Sequence, residues 1–406
     1  MENADNPCQA TPMPEVERDE SSALTSGLTL MIAAACGMIV ANLYYAQPLV
    51  GPIGRALALP PSLSGLIVTV TQLGYCLGLL LIVPLADLLE NRRLIVTLTV
   101  LAAAASLMIG LSYHAAPFML AISGIGLFSV AVQILVPFAA HLAPPAQRGR
   151  AVGNVMSGLM FGIMMARPVA SLVAELASWR TIFFLSAAVM AATAAMLYRV
   201  LPQRRPQTHH HYGSLLLSMA HLLAHTRVLQ RRAFYHACLF GAFSLFWTVS
   251  PLLLAQHFGL SQGGIALFAL VGVAGAISAP IAGRVADRGW TRIATLVAMA
   301  IVALAFAVTW FAPDSIFVFV LGLVGVAIDF GVTANLVLGQ RALFILPPEN
   351  RARLNGLYMA IFFLGGAAGS AIGGWAYARR GWAMASVAGC AAPVIAFLVC
   401  LTERRT

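Results

Sequence analysis

The chain has 406 residues, of which 60% are hydrophobic and only 9% charged, with a net charge of +10. Soluble domains hold about 45–50% apolar and about 25% charged residues, so a water-soluble fold is excluded. Nucleic-acid binding is not implied by the positive charge: all 24 basic residues are arginines, most of them set in loops between long apolar runs.

Residues 1–26 are acidic and polar, with Pro7, Pro12 and Pro14, and show neither the basic start nor the cleavage pattern of a signal peptide. They are expected to form a disordered tail on the cytoplasmic side. Twelve apolar segments follow at 27–50, 62–86, 94–113, 116–141, 151–174, 181–201, 232–256, 262–284, 293–312, 315–343, 353–377 and 383–401. Runs this long can cross a bilayer, and without alternation of apolar and polar residues they predict helices rather than barrel strands. The fold expected is therefore an all-α membrane protein. It has a six-helix bundle over 27–201, a linker over 202–231 and a second six-helix bundle over 232–406. Loop arginines fall mostly on one side of the segments; only Arg55, Arg180, Arg379 and Arg380 lie on the other, and Arg167 lies inside a segment. By the positive-inside rule both termini face the cytoplasm, in an inner or plasma membrane.

The linker carries His209, His210 and His211, which cannot all face one ion from a regular element, so no metal is expected. Its piece from Leu215 to Leu229 is amphipathic, and the face with Leu216, Met219 and Leu223 suits a helix lying in the membrane interface. Cys36, Cys76, Cys238, Cys390 and Cys400 lie in apolar runs and Cys8 in the tail, without metal or redox spacing; they read as free packing residues.

The two halves are related. Pro144, Pro145, Arg148, Arg150, Gly153, Gly162 and Trp179 recur, at a constant offset of 203, as Pro347, Pro348, Arg351, Arg353, Gly356, Gly365 and Trp382. Each copy is a basic loop followed by a long apolar run, so the protein is a tandem of one unit. The glycines of these runs, including Gly158 and Gly369, predict close helix approach, expected at sliding contacts between the bundles.

Twelve helices in two parallel repeats around a central linker resemble the major facilitator superfamily. The loops Pro84-Leu85-Ala86-Asp87-Leu88-Leu89-Glu90-Asn91-Arg92-Arg93 and Gly283-Arg284-Val285-Ala286-Asp287-Arg288-Gly289-Trp290-Thr291-Arg292 are similar to that family's GxLADRxGRK signature, at equivalent places in each half. Asn42-Leu43-Tyr44-Tyr45-Ala46-Gln47-Pro48 and Arg351-Ala352-Arg353-Leu354-Asn355-Gly356 look like stretches of its drug:proton antiporter branch and of relatives that export sugars and metabolites. A departure falls in the fifth segment: where that branch carries GPxxGG, this chain reads Arg167-Pro168-Val169-Ala170-Ser171. The resemblance implies a monomeric secondary transporter working by alternating access, without cofactor, with proton-coupled efflux of a drug, sugar or metabolite. The alternatives are an uptake symporter and a transport-inactive sensor or scaffold. The loop residues Asp87, Arg92, Arg93, Asp287, Arg288 and Arg292 are expected to latch the two bundles together at the cytoplasmic face.

Charge inside a bilayer costs about 2.5–3.5 kcal/mol on insertion scales, so intramembrane charges mark function. Asp329, near the middle of the tenth segment, is the expected proton carrier, and Arg167 the expected holder of an anionic group or partner of Asp329. Glu175 is expected to reach the lipid headgroups. Asn42 and Tyr45, with Tyr44 and Gln47 beside them, Gln133, Trp247, and the stripe Asp329, Thr333, Gln340 are candidates for a substrate pocket, with Gln72 and Asn154 in second rank. No Walker loop occurs, and no HExxH or GxSxG constellation stands in a soluble domain, so neither direct ATP drive nor enzymatic chemistry is expected.

Overall fold

The computed structural model describes residues 26–144, 147–206, 211–346 and 350–403, with the backbone alone for 274–277. The tail 1–25, Pro145, His209, His210, Pro347, Pro348, Arg404 and Arg405 lie outside the described residues. Among those described there is no strand. Ten stretches are long and apolar enough to span a bilayer.

The first apolar segment is shorter than its hydropathy suggests. Helix α1 runs Ser26–Ala41, and α2 is the short Val50–Ala56. Between them the backbone tightens to bonds three residues apart, Leu43 N to Val40 O, Tyr44 N to Ala41 O and Gln47 N to Tyr44 O. Pro48 follows, and a proline disfavours α conformation in the residue before it. Helices α3 (Leu66–Leu81), α4 (Asn91–Leu111), α5 (Ala115–Phe128), α6 (Ala131–Leu142), α7 (Arg148–Leu176) and α8 (Trp179–Val200) complete the first half. The second half comprises α10 (Arg227–Gln256), α11 (Gln262–Ala269), a 3₁₀ stretch Leu270–Ile277, α12 (Ser278–Asp287), α13 (Thr291–Val308), α14 (Phe317–Phe344) and α15 (Arg351–Leu401). Helix α15 is two predicted segments joined at a break: Gly381 has φ +60°, a left-handed conformation that costs glycine least. The tandem copies thus start alike, Arg148 opening α7 and Arg351 opening α15.

The glycines of these runs divide, Gly366 and Gly374 meeting Gln72 and Gly65 of the other half and four others staying within their own. Gly158 and Gly162 of α7 lie against the backbone of Ala33 and Gly37 on α1, and Gly365 and Gly369 of α15 against Ala237 and Gly241 on α10. These are matched helix pairs within each half, not sliding contacts between halves. Across the halves, Gly65 at the start of α3 abuts Ser370 and Gly374, and Thr69 Oγ1 donates to the Ala367 carbonyl at 3.0 Å. Glu175 also crosses: its Oε2 accepts from Gly263 N at 3.1 Å, at the N-terminal end of α11 where a helix favours negative charge.

The linker forms helix α9 (Tyr212–His225). Its buried residues are Leu215 and Met219; Met219 and the partly buried Leu222 pack with Leu343, Leu354, Leu357 and Tyr358, while Leu223 is exposed. The predicted interfacial face is therefore rotated onto protein. Tyr212 Oη donates to the Leu81 carbonyl at the end of α3, and Arg353 bonds Ser218, so α9 straddles the ends of α3 and α15.

Candidate functional site

The 3₁₀ turns after α1 set the first side of the site. Side chains three apart eclipse in such a turn, and Tyr44 and Gln47 both meet Arg167. The expected pairing of Asn42 with Tyr45 is not what the turn produces. Asn42 instead donates to the Met38 and Ile39 carbonyls, and its Oδ1 accepts from Ser186 Oγ of α8. Tyr45 lines a separate groove.

Arg167, only 3% exposed, reaches from α7 to the middle of the molecule. Its Nε–H donates to Gln47 Oε1 at 2.9 Å. The guanidinium carbon lies 4.4 Å from the Trp247 ring centre, 5.0 Å from Phe243 and 5.1 Å from Tyr44. Each is a cation–π contact worth about 0.5–2 kcal/mol, larger when desolvated. Trp247 faces two ways: its ring lies under the guanidinium while its Nε1–H donates to Asp329 Oδ1 at 2.8 Å. Asp329, 7% exposed, is not among the described ion pairs. Arginine and aspartate are thus linked through an indole rather than to each other. Two donors here lack partners among the described atoms, Arg167 Nη2 and Gln47 Nε2.

Two members of this cluster escaped the sequence reading. Phe243 stands one turn before Trp247 on α10, an i, i+4 spacing from which it is recoverable. Gly272 carries no such signal: a Cβ there would lie 2.6 Å from Asp329 Oδ2 and 3.0 Å from the Trp247 ring, so only glycine lets the 3₁₀ stretch close over the carboxylate. The repeat is broken here too. Adding 203 to Arg167 gives Ser370, whose Oγ accepts from Thr248 at 3.2 Å and pairs with Ser244 at 2.6 Å, while Gln72 Nε2 donates to Ser244 Oγ at 2.8 Å. Gln72 therefore belongs to a hydroxyl network between α3, α10 and α15, apart from the charges.

The remaining candidates lie elsewhere. Gln133 donates to Tyr75 Oη at 2.9 Å and faces a cavity of about 150 Å³ with Asp87, Asn91, Arg204, Arg353 and Asn355. Gln340 donates to Asn355 Oδ1 at 3.3 Å, and eleven residues of helix put it about 16 Å along the axis from Asp329. Thr333 is half-buried on the stripe between them. Asn154 lines the groove of about 890 Å³ between α1 and α7, with Tyr45 at one end and Ser26 and Arg150 at the other.

The expected latch is rearranged. Arg92 donates to the Leu201 carbonyl at 3.2 Å and stacks over Tyr198, and Arg292 donates to the Leu401 carbonyl at 3.3 Å. Each arginine thereby caps the last helix of its own half, where carbonyls lack partners and cations are favoured. Arg93 pairs with Glu90 at 3.6 Å, and Asp287 with Arg341 of α14. The first closes the start of α4 on itself and the second joins α12 to α14, both within a half. Arg288 is exposed, and Asp87 alone of the set lines a cavity shared with the start of α15.

Comparison with known proteins agrees with this architecture. The Major Facilitator Superfamily model matches residues 29–344, and the chain belongs to that family. It is 41% identical over 377 residues to the uncharacterized transporter YgaY of Escherichia coli O157:H7, covering 93% of this chain and 95% of that one. It is 31% identical over 379 residues to the probable transporter SCO4007 of Streptomyces coelicolor, covering 92% and 87%. In fold it is similar to a bacterial homolog of the human lysosomal transporter Spinster in an inward-facing, unoccupied conformation, with a TM-score of 0.68, 14% identity and coverage of 93% and 94%.

Proposed function

We propose that this member of the Major Facilitator Superfamily is a secondary transporter that couples movement of a small organic compound to protons by alternating access. Asp329 carries the proton in this reading. The observation that supports it is that Asp329 is the one buried carboxylate among the described residues, deep in α14, beside a buried arginine it does not touch. A carboxyl held by a single indole N–H, between a dry wall and a cation, gains or loses its proton according to which of the two dominates. The substrate pocket is taken to be the Tyr44, Gln47, Arg167, Phe243, Trp247 cluster. The arginine-rich ends are taken to face the cytoplasm of a cell whose inner or plasma membrane holds the protein.

Reconstitution into liposomes tests this. Compounds are screened for uptake under a pH gradient imposed in either direction, with wild type and Asp329→Asn compared. The expected result is gradient-driven flux in wild type and none in a folded Asp329→Asn. Full flux in that variant refutes the assignment of the carrier. If no compound moves and none shifts the melting temperature, the transporter reading gives way to a sensor or scaffold.

A further inference from the structure

We infer that the transported compound is an organic monoanion, a carboxylate or sulfonate with an aromatic or otherwise apolar body, and that it occupies the pocket together with a proton. The inference rests on the assignment of Asp329 as proton carrier for its second half only.

The anion follows from two unpartnered donors. Arg167 Nη2 and Gln47 Nε2 belong to side chains 3% and 0% exposed, already in contact through Arg167 Nε–H and Gln47 Oε1. A buried donor without an acceptor is destabilising, because it has given up water for nothing. Two such donors on touching side chains, one of them charged, match an acceptor group with two or more oxygens, and the charged one favours an anionic acceptor. Asp329 does not fill that role: neither donor bonds it, and no ion pair with Arg167 forms among the described residues. The faces of Tyr44, Phe243 and Trp247 wall the same guanidinium and suit an apolar body.

The proton follows from charge balance. The charged and titratable groups facing Asp329 are Arg167 from α7 and Tyr44 from the turns after α1. Helix α10 offers the Trp247 indole and the 3₁₀ stretch offers the Gly272 backbone. Helices α12 and α13 carry their charged residues at the arginine-rich end. One cation and one carboxylate balance. A bound monoanion leaves an excess negative charge in a dry site, which is unfavourable unless neutralised, and a proton on Asp329 restores the balance. Anion and proton therefore bind together and move in the same direction. This is cotransport, in place of the exchange that the sequence resemblance implies.

The test uses the purified full-length protein in detergent, with benzoate, benzenesulfonate and benzamide as probes. Binding is followed by calorimetry, and proton exchange by a pH indicator in weak buffer. Both acids are expected to bind, with the amide about 10- to 100-fold weaker, the size of a lost charged hydrogen bond. Arg167→Gln is expected to abolish acid binding and Gln47→Leu to weaken it about tenfold. Wild type should take up about one proton per anion, and Asp329→Asn none while still binding the anion. Equal binding of amide and acids, binding of none of the three, or unchanged acid affinity in folded Gln47→Leu overturns the anion site. Proton release on binding overturns cotransport. Undiminished acid binding by Arg167→Gln, with proton-driven flux still lost in Asp329→Asn, sinks this inference and leaves the proposed function standing. Unaltered proton uptake by Asp329→Asn, with acid binding still lost in Arg167→Gln, sinks the carrier assignment and with it the cotransport half, and leaves the anion site standing.

Discussion

Trp247 joins the two charges, and its replacement by phenylalanine separates its two contacts. The variant keeps an aromatic face under the Arg167 guanidinium, 4.4 Å away in the wild type, but loses the Nε1–H that donates to Asp329 at 2.8 Å. A hydrogen bond to a charged group is worth about 1.5–3 kcal/mol, against about 0.5–1.5 for a neutral one. Trp247→Phe should therefore cost about 1.5–3 kcal/mol in denaturant unfolding at a pH where the carboxylate is ionised, and less where it is protonated. Because the ring also shrinks, the single variant mixes packing with hydrogen bonding. A double-mutant cycle with Asp329→Ala isolates the bond. The coupling energy expected is about 1.5–3 kcal/mol, destabilisation by each single variant exceeding its effect in the other's background. Strict additivity, with coupling under about 0.5 kcal/mol, refutes the claim that the indole holds the carboxylate.

Three further outcomes are expected. Gly162→Val places a side chain into the Gly37 backbone of α1 and should destabilise by about 3 kcal/mol or more, whereas Gly153→Ala meets nothing within 4 Å and should stabilise by about 0.5–1 kcal/mol; thermal melts in detergent compare them. Glu175→Gln removes the charge at the α11 N-terminus, worth about 0.3–1 kcal/mol, and should raise the population with α7 and α11 parted about two- to fivefold, as measured between spin labels on those helix ends. Asp287→Asn breaks an ion pair whose side chains are 59% and 43% exposed, so its stability cost should stay under about 1 kcal/mol; a larger loss shows that Asp287 also holds the halves together.

Architecture was legible because lipid leaves few choices. Long apolar runs must be helices, arginine marks the loops, and a constant offset exposes the duplication. The charged residues of the site were legible for the same reason, since a charge in an apolar run stands out. The partners were not. Gln47 and Tyr44 come together because the chain after α1 tightens to bonds three residues apart, which a helical periodicity misaligns. Loop arginines offered a latch between halves, yet Arg92 and Arg292 turn back to the carbonyl ends of their own last helices, a choice made by distance in space rather than along the chain.

The sequence by itself determined an all-α, tandemly repeated membrane protein of this superfamily and placed one arginine and one aspartate inside it, because hydropathy and charge are properties of single residues. Only the tertiary structure decided that those two charges meet through Trp247 and under Gly272 instead of directly. Contacts between α7, α10, α14 and the turns after α1 depend on how helices far apart in the chain pack, and no local pattern encodes that.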